Sequence, residues 1–95
     1  VPGASTSKPV TFKKDPSAVL DYQINWATWL DGDSILGSSW IVPSDLTEVS
    51  SSHTATTATI WLSGGMLISY EVTNRIVTAG GRTDDRTIII KVEQR

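Results

Sequence analysis

Apolar and polar residues alternate with a period of two along four separate stretches of this chain. Leu20, Tyr22, Ile24 and Trp26 are separated by Asp21, Gln23 and Asn25, which predicts a strand with one face buried. In TTATIWLS, Ala58, Ile60 and Leu62 share one face, and Thr57, Thr59 and Trp61 share the other. Ile68, Tyr70, Val72 and Ile76 alternate with Ser69, Glu71, Thr73 and Arg75. In RTIIIKVE, Ile88, Ile90 and Val92 fall inward, with Ile89, Lys91 and Glu93 outward. Two weaker strands are predicted in SILGSSWIV, where Gly37 marks a bulge, and in LTEVSS. Asp31-Gly32-Asp33, Pro43-Ser44-Asp45 and Gly64-Gly65 read as the turns between them. The one helical segment is a single turn at WATWLD.

The residue mixture agrees with this period. Serine, threonine and β-branched residues pack well on a pleated surface and lose rotamer freedom in helices. A chain of 95 residues makes one domain with one core. The predicted fold is therefore all-β, an immunoglobulin-like β-sandwich of six to seven antiparallel strands. The first 18 residues differ. VPGASTSKPVTFKKDPSA holds three prolines and three lysines with one aromatic residue, too little apolar surface to order itself. An extended N-terminal arm is expected over residues 1–18, with the sandwich domain over residues 19–95. Phe12, Lys13 and Lys14 in that arm are candidates to touch another chain, PVTFK is also able to add an edge strand to this domain or another, and a plain tail is the competing reading.

The stretch TAGGRTDDR raises the question of chemistry. With Val72 opposite Ile90 and Tyr70 opposite Val92, Glu71 falls opposite Lys91, a favourable cross-strand pair. That register centres a hairpin loop on Gly81, with Gly80 and Gly81 expected at positive φ. Asp84 and Asp85 are neighbours on a strand and point to opposite faces, so they are not an acid/base pair. Arg82 and Arg86 are expected to pair with these aspartates or with a partner. The stretch is the charged tip of a hairpin.

No other motif carries catalysis. His53 is the single histidine and cysteine is absent, so a zinc site is not expected. Asp31, Asp33 and Asp45 do not form a calcium loop of EF-hand length. There is no strained nucleophile turn, phosphate loop or dinucleotide fingerprint. The chain is not expected to be an enzyme or to hold a cofactor or metal. A net charge of −2 gives no electrostatic drive toward nucleic acid, and no apolar run approaches the roughly 20 residues that span a bilayer.

The four tryptophans admit two readings. Trp26 is in phase with Tyr22 and Ile24, Trp40 resembles the tryptophan that fills many sandwich cores, and Trp29 with Leu30 caps one end. Trp61 points outward and fits a protein interface. Met66 and Leu67, just after Gly64-Gly65, are further interface candidates, with Met66 expected inward and Leu67 outward, and the alternative for Leu67 is that it closes the end of its own sandwich. Arg82, Asp84 and Arg86 complete the set. The tryptophans also support an alternative, a carbohydrate-binding or adhesion module.

KKDPSAVLDYQINWATWLDGDSI, SSWIVPSDLT, TTATIWLSGG and YEVTNRIVTAGGRTDDRTIIIKV together resemble a family of small phage virion proteins. These are fiber-tail adaptor or head–tail region proteins with an immunoglobulin-like fold. The likeness runs from about Lys13 to Val92, and the VTN…TAGGRTD block is its most specific part. The resemblance implies a non-enzymatic structural protein of the virion, in the tail or head–tail region and in multiple copies. Its implied partners are tail, portal, adaptor or fiber subunits, without nucleic acid or membrane. Met66-Leu67-Ile68 stands where small or polar residues are expected, which implies a contact peculiar to this chain. Asn25 stands where aspartate is more usual.

Overall fold

The computed structural model describes residues 10–94. Seven strands and one helical turn follow in order: β1 (Thr11–Lys14), β2 (Leu20–Asn25), α1 (Ala27–Leu30), β3 (Ile35–Ile41), β4 (Leu46–His53), β5 (Thr57–Gly64), β6 (Ser69–Thr78) and β7 (Thr83–Val92). They form a four-stranded sheet, β1-β7-β6-β3, and a three-stranded sheet, β2-β5-β4. The alternation read along the sequence places the buried residues. Tyr22, Ile24, Ala58, Ile60 and Leu62 come from the smaller sheet, and Tyr70, Val72, Ile76, Ile88, Ile90 and Val92 from the larger. The all-β class, the single helical turn and the bulge at Gly37, where the β3–β6 register shifts, agree with the sequence.

Three expectations need correction. Part of the expected arm belongs to the sandwich: Thr11–Lys14 extends the larger sheet beside β7, the edge strand given for PVTFK as the alternative to an arm. Phe12 and Lys14 fall on its inner face. The Phe12 ring lies 5.2 Å from Tyr22, and the Lys14 side chain supplies an apolar stem that packs like a hydrophobe. Residues 1–9 of that arm lie outside the described residues. The strands are also not all antiparallel, since β1 runs parallel to β7. After β1 the chain crosses to the other sheet rather than turning back along β7, which leaves the two strands pointing the same way.

The β6–β7 register is the third correction. Tyr70 pairs with Ile90, Val72 with Ile88 and Glu71 with Ile89, a slide of two residues that centres the turn on Gly80. A two-residue slide keeps every inward side chain inward, so burial does not distinguish the registers. The turn does. Thr78 N donates to Arg82 O at 2.8 Å and Gly81 N to Thr78 O at 3.0 Å, and this closure outweighs a Glu71–Lys91 pair worth a few tenths of a kcal/mol. Gly81 has positive φ, at 85°, but Gly80 does not. At Gly80 the matter is space instead: a Cβ there would sit 2.7 Å from Asp33 Oδ2 and would displace the carboxylate that Gly80 N and Arg82 hold.

Trp26, fully buried, is the tryptophan at the centre of the core, whereas Trp40 on the edge strand β3 is half-buried. Beside Trp26 lies a polar residue in the inward phase of β6, Asn74, also fully buried. Trp26 Nε1 donates to Asn74 Oδ1 at 2.9 Å. Asn74 Nδ2 donates to Ser38 Oγ and to Ser39 O, each at 2.9 Å. One amide thus ties α1 and the start of β2's exit loop to β3 and β6, and each buried polar atom named here has a partner.

Candidate docking surfaces

Strand β6 runs the length of the larger sheet, so the loop before it and the turn after it mark opposite ends of the sandwich. At the turn end, the arginines fold back on their own domain. Arg82 Nε and Nη2 lie 3.2 and 3.1 Å from Asp33 Oδ2, and Nη2 also donates to Leu30 O at 2.7 Å. Its guanidinium stacks 4.5 Å over Trp29. Arg86 stacks at the same distance over Trp26 and donates to Asn25 O at 3.2 Å. These cation–π contacts cover the buried Trp26 and the partly buried Trp29, and the pairing expected with Asp84 and Asp85 does not form. Asp84 accepts from the backbone of Asp85, and Asp85 instead receives two bonds from Arg75, at 2.8 and 3.0 Å. That exposed pair raises Arg75 and lowers Asp85 from their ordinary pKa values and adds little stability.

Asp33 is the hub of this end. Its carboxylate accepts from the amides of Ser34 and Gly80 at 2.8 and 3.0 Å as well as from Arg82. Hydrogen bonds, that of the Thr78 hydroxyl first, lower its pKa from 3.8 to about 2. The folded value is below the unfolded one, so the stabilisation is present above pH 3.8 and is lost as pH falls through about 2. Thermal melting of the unaltered chain should therefore fall across that interval. An Asp33→Asn chain should melt lower at neutral pH and show a flatter acid limb. An equally steep limb in the variant would assign the acid sensitivity elsewhere.

The opposite end is apolar. Met66, Leu67 and Ile68 are 63%, 58% and 54% exposed, three large hydrophobic side chains in succession. The inward phase expected for Met66 and Ile68 does not hold. Gly64 and Gly65 take φ of 80° and 105°, and this left-handed bend resets the alternation so that β6 begins at Ser69. Leu67 points outward, as expected, and does not close its own sandwich. The loop is nonetheless firmly held. Met66 N donates to the Tyr70 hydroxyl at 2.8 Å, and that hydroxyl donates to Asp45 Oδ2 at 3.3 Å. Ile68 O accepts from Val92 N at 3.0 Å.

The remaining candidates separate by exposure. Trp61 is 41% exposed on the outer face of the smaller sheet, with Asp21 and Ser50 beside it in register. Lys13 is exposed and lies 3.6 Å from Glu93. Phe12 is half-buried, and Lys14 is buried completely, so its side chain is not presented to a partner. Burial lowers the Lys14 pKa, and the Asp15 charge offsets this in part. Sequence reasoning missed Asn74 and the inward course of Lys14. The first had a signal in its phase with Tyr70, Val72 and Ile76, and the second had none. Among the described residues no group of three histidine, aspartate or glutamate side chains is placed to hold a metal ion. No described helix is long and apolar enough to cross a membrane.

A family model described as podophage GP4 fiber-tail adaptor protein gp77 matches residues 14–91. No curated protein matches the chain.

Proposed function

The chain belongs to the podophage GP4 fiber-tail adaptor protein family, and on that premise we propose that it bridges tail or portal components and fibers through protein–protein contacts. It works as a repeated structural subunit of the virion tail region and performs no catalysis. The match covers residues 14–91, which include nearly all of the sandwich. The placement of β2-β5-β4 against β3-β6-β7 supports an immunoglobulin-type reading of the fold.

One observation carries the bridging reading: the exposed Met66-Leu67-Ile68 tip. An isolated domain gains nothing from holding three apolar side chains in water, whereas a neighbour that covers them does. Full burial of a leucine side chain contributes about 1.5–3 kcal/mol, enough to govern the lifetime of a subunit contact. Trp61, on a different face, offers a second contact and suits a subunit with more than one neighbour. The direct test is Leu67→Asp, which should spare the fold and block incorporation into particles.

A further inference from the structure

Lys14 buries an ammonium group where a hydrophobic residue of similar size would fill the space at lower solvation cost. Its Nζ donates to Gly64 O at 2.7 Å and to Asp15 O at 3.0 Å. The first bond joins residues 50 positions apart, and it fixes the carbonyl from which the apolar tip departs. The next residue has little room to relax. Gly65 has φ of 105°, and a Cβ on it would lie 2.8 Å from Val92 Cγ2 and 3.0 Å from Leu46 Cδ2. Beyond it, the Tyr70 hydroxyl holds Met66 N and the Val92 amide holds Ile68 O. The three exposed side chains therefore sit on a loop tied at its start, its middle and its end.

An unoccupied apolar loop gains nothing in the monomer from such bracing. In a complex it does, because a segment ordered beforehand loses less conformational entropy on binding. The rim of the tip adds a charge. Asp45 is exposed, and its carboxylate lies two hydrogen bonds from Met66, through Tyr70. A partner surface complementary to both features has an apolar pocket with a cationic edge.

We infer that Lys14 and Tyr70 are positioning residues that hold Met66, Leu67 and Ile68 in the shape in which they enter a preformed apolar pocket on another virion protein, where a lysine or arginine faces Asp45. This rests on the docking reading above and specifies how the surface is built and what it meets.

The test uses the full chain with Lys14→Met, Tyr70→Phe and Asp45→Asn. Amide exchange across residues 64–68 should quicken by about tenfold or more in the first two variants, while β6 and β7 keep their protection. Both variants should also be outcompeted by the unaltered chain for incorporation into particles. Asp45→Asn retains an acceptor for Tyr70, so its tip should exchange normally while its incorporation falls, most clearly at low salt. Unchanged tip exchange in both Lys14→Met and Tyr70→Phe would overturn the bracing. Faster exchange with undiminished incorporation would overturn its role in docking. If Lys14→Met fails to fold, Tyr70→Phe decides alone, because it keeps the core ring and removes one hydroxyl. Normal incorporation of Leu67→Asp would overturn the docking reading itself and leave the exchange result standing.

Discussion

Replacing Asn74 by alanine is expected to lower the stability of the purified protein by about 3 kcal/mol, the largest loss foreseen for a single polar residue here. The side chain is fully buried and makes three hydrogen bonds, to Trp26 Nε1, Ser38 Oγ and Ser39 O. Truncation leaves the indole N–H in the core without an acceptor, and an unsatisfied buried donor costs about 1–3 kcal/mol. The Ser39 carbonyl loses a donor, and the vacated volume adds a cavity cost. A domain of this length has a total stability of roughly 5–14 kcal/mol, so the melting temperature should drop by about 12 °C or more. Thr73→Ala is the control. Its hydroxyl pairs with Thr87 at 2.9 Å outside the core, and its loss should cost under about 1 kcal/mol. In a Trp26→Phe background the donor is already gone, so Asn74→Ala should cost at least about 1 kcal/mol less there. Additive losses would show that the two side chains act independently.

Leu67→Asp is expected to abolish incorporation into particles while leaving the melting temperature within a few degrees of the unaltered protein. Leu67 is 58% exposed, and a carboxylate at such a position stays hydrated in the monomer. The loop around it is held by bonds from Lys14, Tyr70 and Val92 rather than by the leucine side chain. In a docked state the same carboxylate would be carried into an apolar pocket. That loses the burial of a leucine and adds the desolvation of an unpaired charge, together several kcal/mol or more. A binding constant falls tenfold for each roughly 1.4 kcal/mol, so the subunit would be absent from particles rather than merely less abundant. Two results would contradict this. Unfolding of the purified variant would assign Leu67 to the core, and normal incorporation would remove the tip from the interface.

The sandwich was legible because most of its strands have one buried face, and a period of two survives almost any tertiary context. Ile60 and Leu62, or Ile88 and Ile90, needed no knowledge of what they pack against. The register of β6 and β7 was less legible. Two slides preserve the same buried face, and a modest charge pair counts for less than the turn that closes at Thr78 and Arg82, which the alternation does not reveal. The edge strand in PVTFK was legible as an alternative to the arm, but the inward course of Lys14 was not, because a lysine reads as a charge and its burial depends on a carbonyl 50 residues away. For Arg82 and Arg86 the sequence offers only the nearest aspartates, Asp84 and Asp85. Their actual contacts, Asp33 with Trp29 and Trp26, arrive from the α1 region across the fold. The tip is legible in its composition beside two glycines. Its phase is not, because two residues at positive φ interrupt the alternation.

The docking claim is tested most directly by the accessibility of position 67 before and after assembly. The chain contains no cysteine, so Leu67→Cys introduces a unique thiol at the tip. Labelled with a water-soluble maleimide, the free protein should react as an exposed thiol does. The same protein within purified particles should react about tenfold more slowly or not at all, because the neighbour's pocket excludes the reagent. Equal labelling rates in the free and assembled states would show that the tip stays in water in the virion, and the docking account would be wrong.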